Sequence, residues 1–280
     1  MPEGDTVWLA AQRMHEALAG HVLVHSDFRV PALATLDLRG QRVLSVAARG
    51  KHLLTRLSGG RTLHTHFRMD GSWHLYAPGE RWTGGPEWQV RVVLANTERV
   101  AVGYRLPVVE LVEDEQQVVG HLGPDLLAGD FDATEAVRRL SARPEREVGL
   151  ALLDQSNLAG LGNLYRTEVL FLSGLSPWVP VGQVPDLAGV VARGRRLMLA
   201  NRGHWEQTTT GSLLRGADHW VFERTGRACR RCGARIRSAE QGAAPYARLS
   251  YWCPRCQLGP APLPTRGRRE RPLGRKSYRP

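Results

Sequence analysis

The sequence predicts a multidomain α and β protein: an N-terminal β-sandwich with a leading helix, a C-terminal helical domain, and a small four-cysteine hairpin module. Three observations carry that prediction. Apolar residues recur at helical spacing over residues 5–19, and short β-branched runs separated by turn residues then fill residues 21–112. Helical spacing returns over residues 132–201, and all four cysteines fall between Cys229 and Cys256.

Taken in order, Val7, Ala10, Ala11, Met14, Ala17 and Leu18 make one face of the leading helix, with Asp5 or Thr6 as its cap and Gly20 as its stop. Residues 42–46, 52–57, 91–94 and 107–111 read as strands, and several strands at such intervals indicate a sandwich or barrel. The strand pattern ends near Gly123-Pro124-Asp125. Residues 133–141, 145–154, 165–172 and 186–201 then read as helices, with no internal repeat. From Gly259 onward the chain is rich in Pro, Gly and Arg, a composition that orders poorly by itself. Domain boundaries follow at 2–124, 125–223 and 224–259, with a disordered basic tail over 260–280.

Composition narrows the function classes. The apolar stretches are short and broken by charge, which argues against a membrane span, and the first residues lack the basic and apolar regions of a signal peptide. A cytoplasmic protein is expected. The net charge of +11 favours a polyanionic partner, nucleic acid first. Arginine supplies nearly all of it, for the only lysines are Lys51 and Lys276. A lone body lysine is either a survivor of that bias or a place where a compact ammonium is required.

Cys229-Arg-Arg-Cys232 and Cys253-Pro-Arg-Cys256 have the spacing of a tetrahedral four-thiolate site, because each two-residue gap lets one knuckle present two sulfurs to one ion. One structural Zn2+ is expected. Disulfides are the competing reading, and a cytoplasmic chain with no other cysteine disfavours them.

Pro2-Glu3 stands directly before the leading helix. Loss of Met1 leaves the secondary amine of Pro2 as the chain terminus, a nucleophile for a sugar C1′ whose iminium adduct acts as an electron sink. The helix start disfavours the ammonium form, and Glu3 is placed to exchange protons. Pro-Glu is also an ordinary way to begin a helix, so the dipeptide alone does not decide.

Four segments together resemble the Fpg/Nei family of bifunctional DNA glycosylases, on the endonuclease VIII (Nei) side, over residues 2–257. They are Pro2-Glu3-Gly4; Arg49-Gly50-Lys51-His52-Leu53-Leu54; residues 152–170, with Gly160, Gly162 and Asn163; and Arg248-Leu-Ser-Tyr-Trp-Cys253. The resemblance implies a helix-two-turn-helix DNA-binding domain over residues 125–223 and a zinc-finger β-hairpin over 224–259. It implies Pro2 as Schiff-base nucleophile, Glu3 as proton carrier, Lys51 as the catalytic lysine presented to DNA phosphate and the lesion, and Asn163 and Arg248 as further holders of phosphate. His66-Phe-Arg-Met-Asp-Gly-Ser-Trp73 resembles the family's wedge loop, with Met69 as the inserting residue and Arg68 beside it; Met69 reads equally as a core residue.

Two departures shape the expected activity. Many relatives carry Pro-Glu where this chain has Asp5-Thr6, which puts efficient base excision in doubt more than strand nicking. The stretch Asn96-Thr-Glu-Arg-Val-Ala-Val-Gly-Tyr104 lacks the wedge of the 8-oxoguanine branch, which favours oxidised pyrimidines. The expectation is thus a monomeric, nucleoid-associated glycosylase and abasic-site lyase acting on damaged double-stranded DNA by β/δ-elimination, with bubble and single-stranded DNA left open. Its rivals are an enzyme for 8-oxoguanine or mainly for abasic sites, and a non-catalytic zinc-ribbon protein that only binds nucleic acid.

Overall fold

The computed structural model describes residues 2–245 and 247–262. Helix α1 (Gly4–Leu18) starts one residue earlier than its composition suggests, because Glu3 in extended conformation is the N-cap in place of Asp5 or Thr6. Its apolar face, Val7, Ala10, Ala11, Met14 and Leu18, is buried against the sandwich, and Gly20 ends it with a positive φ of 83°.

Two four-stranded antiparallel sheets follow. One comprises β1 (His25–Phe28), β5 (Ser72–Tyr76), β6 (Val90–Ala95) and β7 (Val100–Tyr104) in the order β1-β6-β7-β5. The other runs β2 (Val43–Arg49), β3 (His52–Leu57), β4 (Thr62–His66) and β8 (Val108–Val112) in sequence order. Their inner faces meet through Leu53, Leu57, Leu63, Val92, Leu94 and Ala101, with Trp73 and Phe67 closing one end. Both faces of the first sheet are covered: Val92 and Leu94 of β6 join the core between the sheets, while Val90 and Val93 join a second cluster with Tyr76, Val102 and Tyr104.

A short helix, α2 (Gln116–Val119), leads out of the sandwich. Val119 and Leu122 pack with Leu54 and Ala159, so an apolar seam joins β3 to the second domain. That domain holds α3 (Ala133–Ser141), α4 (Val148–Leu153), α5 (Asn163–Leu172) and α6 (Leu187–Asn201) around Leu140, Leu152, Leu161, Tyr165, Val169 and Val191. Asp132 and Asp186 cap α3 and α6 through their side chains. Between α4 and α5 lie two tight turns: Asp154 accepts from the N–H groups of Asn157 and Leu158, and Gly160 has φ +97°. This is the helix, two turns, helix arrangement.

Residues 202–236 have no regular element, yet they are anchored. The buried Glu168 carboxylate on α5 accepts from the backbone N–H groups of Trp220, Val221 and Phe222, each at 2.8 Å, and from the Thr209 hydroxyl. Strands β9 (Arg237–Gln241) and β10 (Arg248–Trp252) then form the expected hairpin. The tail from residue 263 lies outside the described residues. Among those described, no helix is long and apolar enough to cross a membrane.

Candidate active site at the domain junction

Glu3 is fully buried although it sits at the start of a helix. Its side chain does not cap α1. It crosses to the second domain, where Oε2 accepts from the Gly162 N–H and Oε1 from the Leu164 N–H, both at 2.8 Å. The backbone seals the same junction, for the Gly4 N–H donates to the Gly160 carbonyl at 3.0 Å. Pro2, one residue ahead, keeps some exposure.

Lys51 arrives from the β2–β3 turn. Gly50 makes that turn with φ +57°, and its N–H donates to Asp125 Oδ2 at 2.7 Å, which pins the turn to the second domain. A methyl group added at Gly162 would lie 2.5 Å from Glu3 Cδ and 2.8 Å from Lys51 Nζ. Glycine is therefore needed at 162 for close approach: the carboxylate and the ammonium both press on its backbone. Burial pushes the Glu3 carboxyl above the usual range, against the lowering pull of Lys51 and the two backbone N–H donors. Burial pulls Lys51 below the usual lysine range, opposed by Glu3 and Asp5 and aided by the charge of Arg248. Both groups are thus shifted toward their neutral forms, which suits proton exchange.

Asp5 lies behind them. Its carboxylate accepts from Tyr165 Oη at 2.5 Å and from Gln207 Nε2 at 2.9 Å, and burial raises its pKa. Those partners make Asp5 a tie between α1, α5 and the 202–219 segment.

Asn163, the first residue of α5, is nearly buried and donates from Nδ2 to the Leu249 carbonyl at 3.0 Å. Arg248, next to Leu249, is exposed, and its charge acts on Lys51. Lys51, Asn163 and Arg248 are thus brought to one corner. Arg68 and Met69 lie apart, in the turn between β4 and β5. Met69 is 60% exposed, so it is no core residue, and Arg68 is exposed with φ +46°.

The four cysteine sulfurs lie within 4.8 Å of one another, with Cys229–Cys256 at 3.9 Å and Cys232–Cys253 at 3.4 Å. Tetrahedral Zn–S bonds of about 2.3 Å put the sulfurs roughly 3.8 Å apart, so the donor set fits one such ion with no position left open. The cysteines share a small core with Phe171, Val221 and Ile236, and Arg231 in the first knuckle lies 4.7 Å over the Phe171 ring.

Several residues at this junction escape sequence reading. Asp125, Tyr165, Arg166 and Gln207 act through contacts distant in sequence. A histidine group beside Lys51 was missed as well, though the alternation of His64 and His66 on β4 could have signalled it: His66 pairs with His52 on β3, so all three share a face. His52 Nδ1 lies 2.8 Å from His64 Nε2, whose Nδ1 is 3.2 Å from Glu110. Burial and the neighbouring histidines hold His52 down at about 3, and burial with Lys51 holds His66 at about 4.

Residues 1–105 match the formamidopyrimidine-DNA glycosylase N-terminal domain, and residues 122–186 match the formamidopyrimidine-DNA glycosylase H2TH domain. The chain is 54% identical to a probable endonuclease 8 2 of Streptomyces coelicolor, over 100% of this chain and 99% of the relative. It belongs to the Fpg/Nei family, on the endonuclease 8 side. A DNA-(apurinic or apyrimidinic site) lyase Nei2 of Mycolicibacterium smegmatis is 40% identical over 92% of this chain and 99% of its own. The fold of this family member also matches a Lactococcus lactis Fpg solved with abasic-site DNA, with TM-score 0.75 and 21% identity, covering 92% of this chain and 100% of that one.

Proposed function

We propose that this chain is a base-excision-repair DNA glycosylase and abasic-site lyase that works through Pro2. The observation that carries the reading is the meeting of Glu3 and Lys51 at the Gly162 backbone, beside the residue whose amine becomes terminal when Met1 is removed. The unprotonated amine attacks C1′ of the damaged nucleotide and the base leaves, taking a proton that Glu3 is placed to relay. Protonation of O4′ then breaks the C1′–O4′ bond to give the iminium, which acidifies C2′–H, so loss of that proton breaks the C3′–O bond and expels the 3′ phosphate; a second elimination, with loss of the C4′ proton, releases the 5′ phosphate. Glu3, shifted toward its neutral form, suits the proton steps.

Lys51, Asn163 and Arg248 would hold the flanking phosphates, and Met69 with Arg68 would fill the gap left by the flipped nucleotide. The partner is damaged duplex DNA, met by one copy of the chain in the cytoplasm, with bubble and single-stranded forms open to the same cleft. The cysteine cluster would carry one Zn2+ that folds the hairpin bearing Arg248, a structural role. Oxidised pyrimidines are the favoured lesions, because the stretch from Asn96 to Tyr104 lacks the wedge of the 8-oxoguanine branch.

A second reading weights the enzyme toward abasic sites. Two observations favour it: the similarity to a relative named as an abasic-site lyase, and the engagement of Asp5 with Tyr165 and Gln207, which leaves Glu3 as the acid beside Pro2. Borohydride trapping on duplexes with thymine glycol, dihydrouracil, 8-oxoguanine or an abasic site separates the two. The expected result is a covalent complex through Pro2, confirmed by mass analysis of the N-terminus and abolished in Pro2→Gly. Full base release and nicking by Pro2→Gly, or by protein that retains Met1, would refute the mechanism.

A further inference from the structure

Arg166 is fully buried on α5, one turn beyond Asn163 and on the same face. Such burial is costly for a guanidinium unless its donors find acceptors. Nη2 donates to Asn163 Oδ1 and, at 3.4 Å, to the Leu249 carbonyl; Nη1 donates to Gln241 Oε1 at 2.8 Å. Gln241 is held in turn: its Oε1 accepts from Ser250 Oγ, while its Nε2 donates to Glu147 and to the Pro177 carbonyl, all at 2.8 Å. Among the described residues Nε has no partner, so it is through its two Nη groups that the guanidinium rests on a hydrogen-bonded support spanning α5, the hairpin β9–β10 and the residue before α4.

We propose that Arg166 is a positioning residue that fixes the polarity of the Asn163 amide, turning its nitrogen outward as a donor to a DNA phosphate. The inference rests on the reading of Asn163 as a phosphate holder given above. A guanidinium only donates, so the Asn163 atom facing it must be the oxygen; a backbone carbonyl only accepts, so the atom facing Leu249 must be the nitrogen. Two independent partners thus require the same amide orientation. One hydrogen of Nδ2 is taken by Leu249, which leaves the other for a ligand in the corner shared with Lys51 and Arg248. Without Arg166 only the Leu249 carbonyl opposes turning of the amide, and the turned form aims a carbonyl oxygen at an anion.

The test is a double-mutant cycle on binding to a duplex that carries a tetrahydrofuran abasic-site analogue, with melting temperature and zinc content measured on every variant. Arg166→Met and Asn163→Ala are each expected to weaken binding by about tenfold, and the double variant to bind no more weakly than Asn163→Ala alone, since both changes remove the same donor. Arg166→Lys should recover part of the loss. Losses that multiply in the double variant, or unchanged binding by folded Arg166→Met, would overturn the inference. Should Arg166→Met fail to fold, Asn163→Asp decides: it keeps an acceptor for Arg166 but has no donor, so it should fold and bind more weakly than Asn163→Ala. Wild-type affinity for Asn163→Asp sinks the proposal. Wild-type affinity for Asn163→Ala sinks it too, and with it the phosphate contact, whereas Pro2 trapping on the same duplex series reports separately on the enzymatic reading.

Discussion

Alanine at position 162 isolates steric closeness from backbone strain. Gly162 has φ −124° and ψ −159°, extended backbone that alanine adopts freely, so the substitution carries no torsional penalty. What it adds is one methyl group, 2.5 Å from Glu3 Cδ, 2.6 Å from Glu3 Oε1 and 2.8 Å from Lys51 Nζ. Ordinary contact begins near 3.4 Å. The Glu3 carboxyl must then retreat by roughly 1 Å from the N–H donors that hold it, and a misplacement of that size costs about 100-fold in rate. Overpacking of this kind destabilises by about 1–3 kcal/mol. The assay is single-turnover nicking of an abasic-site duplex with enzyme in excess, alongside thermal melting and borohydride-trapping yield. Gly129→Ala is the control, because a methyl group there meets nothing within 4 Å. A folded Gly162→Ala enzyme that nicks at the wild-type rate would show that the placement of Glu3 and Lys51 does not govern the chemistry.

Acid should loosen the sandwich through its histidines. Burial and its histidine neighbours hold His52 down at about 3 in the folded protein against an ordinary 6.5, so the stability it contributes is complete above about pH 6.5 and drains away as the pH falls toward 3. Discounted for partial exposure, the loss between pH 6.5 and 5 is about 1 kcal/mol, and denaturant melts of His52→Gln, which keeps a donor for His64, should show a flatter acid limb. An identical limb in both proteins would exclude this histidine as its source. Removing the metal with a strong chelator, or making Cys253→Ser, should release one equivalent of zinc and weaken duplex binding at least tenfold, while far-ultraviolet circular dichroism retains the sandwich and helical signals. Binding that survives complete metal loss would contradict a structural role for the ion in presenting Arg248.

Local chemistry was the legible part of this chain. The cysteine pairs announce a metal site because two residues per knuckle is a short-range constraint, and β3 and α3 appear at the predicted residues because their periodicity is strong. Glu3 shows where such reading stops. Its position suggests a helix-start residue, but its carboxylate bonds to Gly162 and Leu164, about 160 residues away, and no local pattern encodes that. Arg166 reads as one more arginine in an arginine-rich protein until its burial is seen. Residues 202–236 lack periodicity altogether, since Glu168 and the Asn201 and Thr208 side chains, not a ladder of backbone bonds, hold much of that stretch.

The Glu3 carboxylate belongs to one domain, and the two amide hydrogens that grip it belong to the other. Neither domain by itself holds the whole of the proposed catalytic apparatus. An isolated sandwich would leave a carboxylate uncovered and a lysine unconfined, so competence arrives only at docking. On the proposed mechanism, a nascent chain cannot cleave DNA until its α5 turn has been synthesised and seated, and substitutions on either side of that seam act on the same pair of hydrogen bonds.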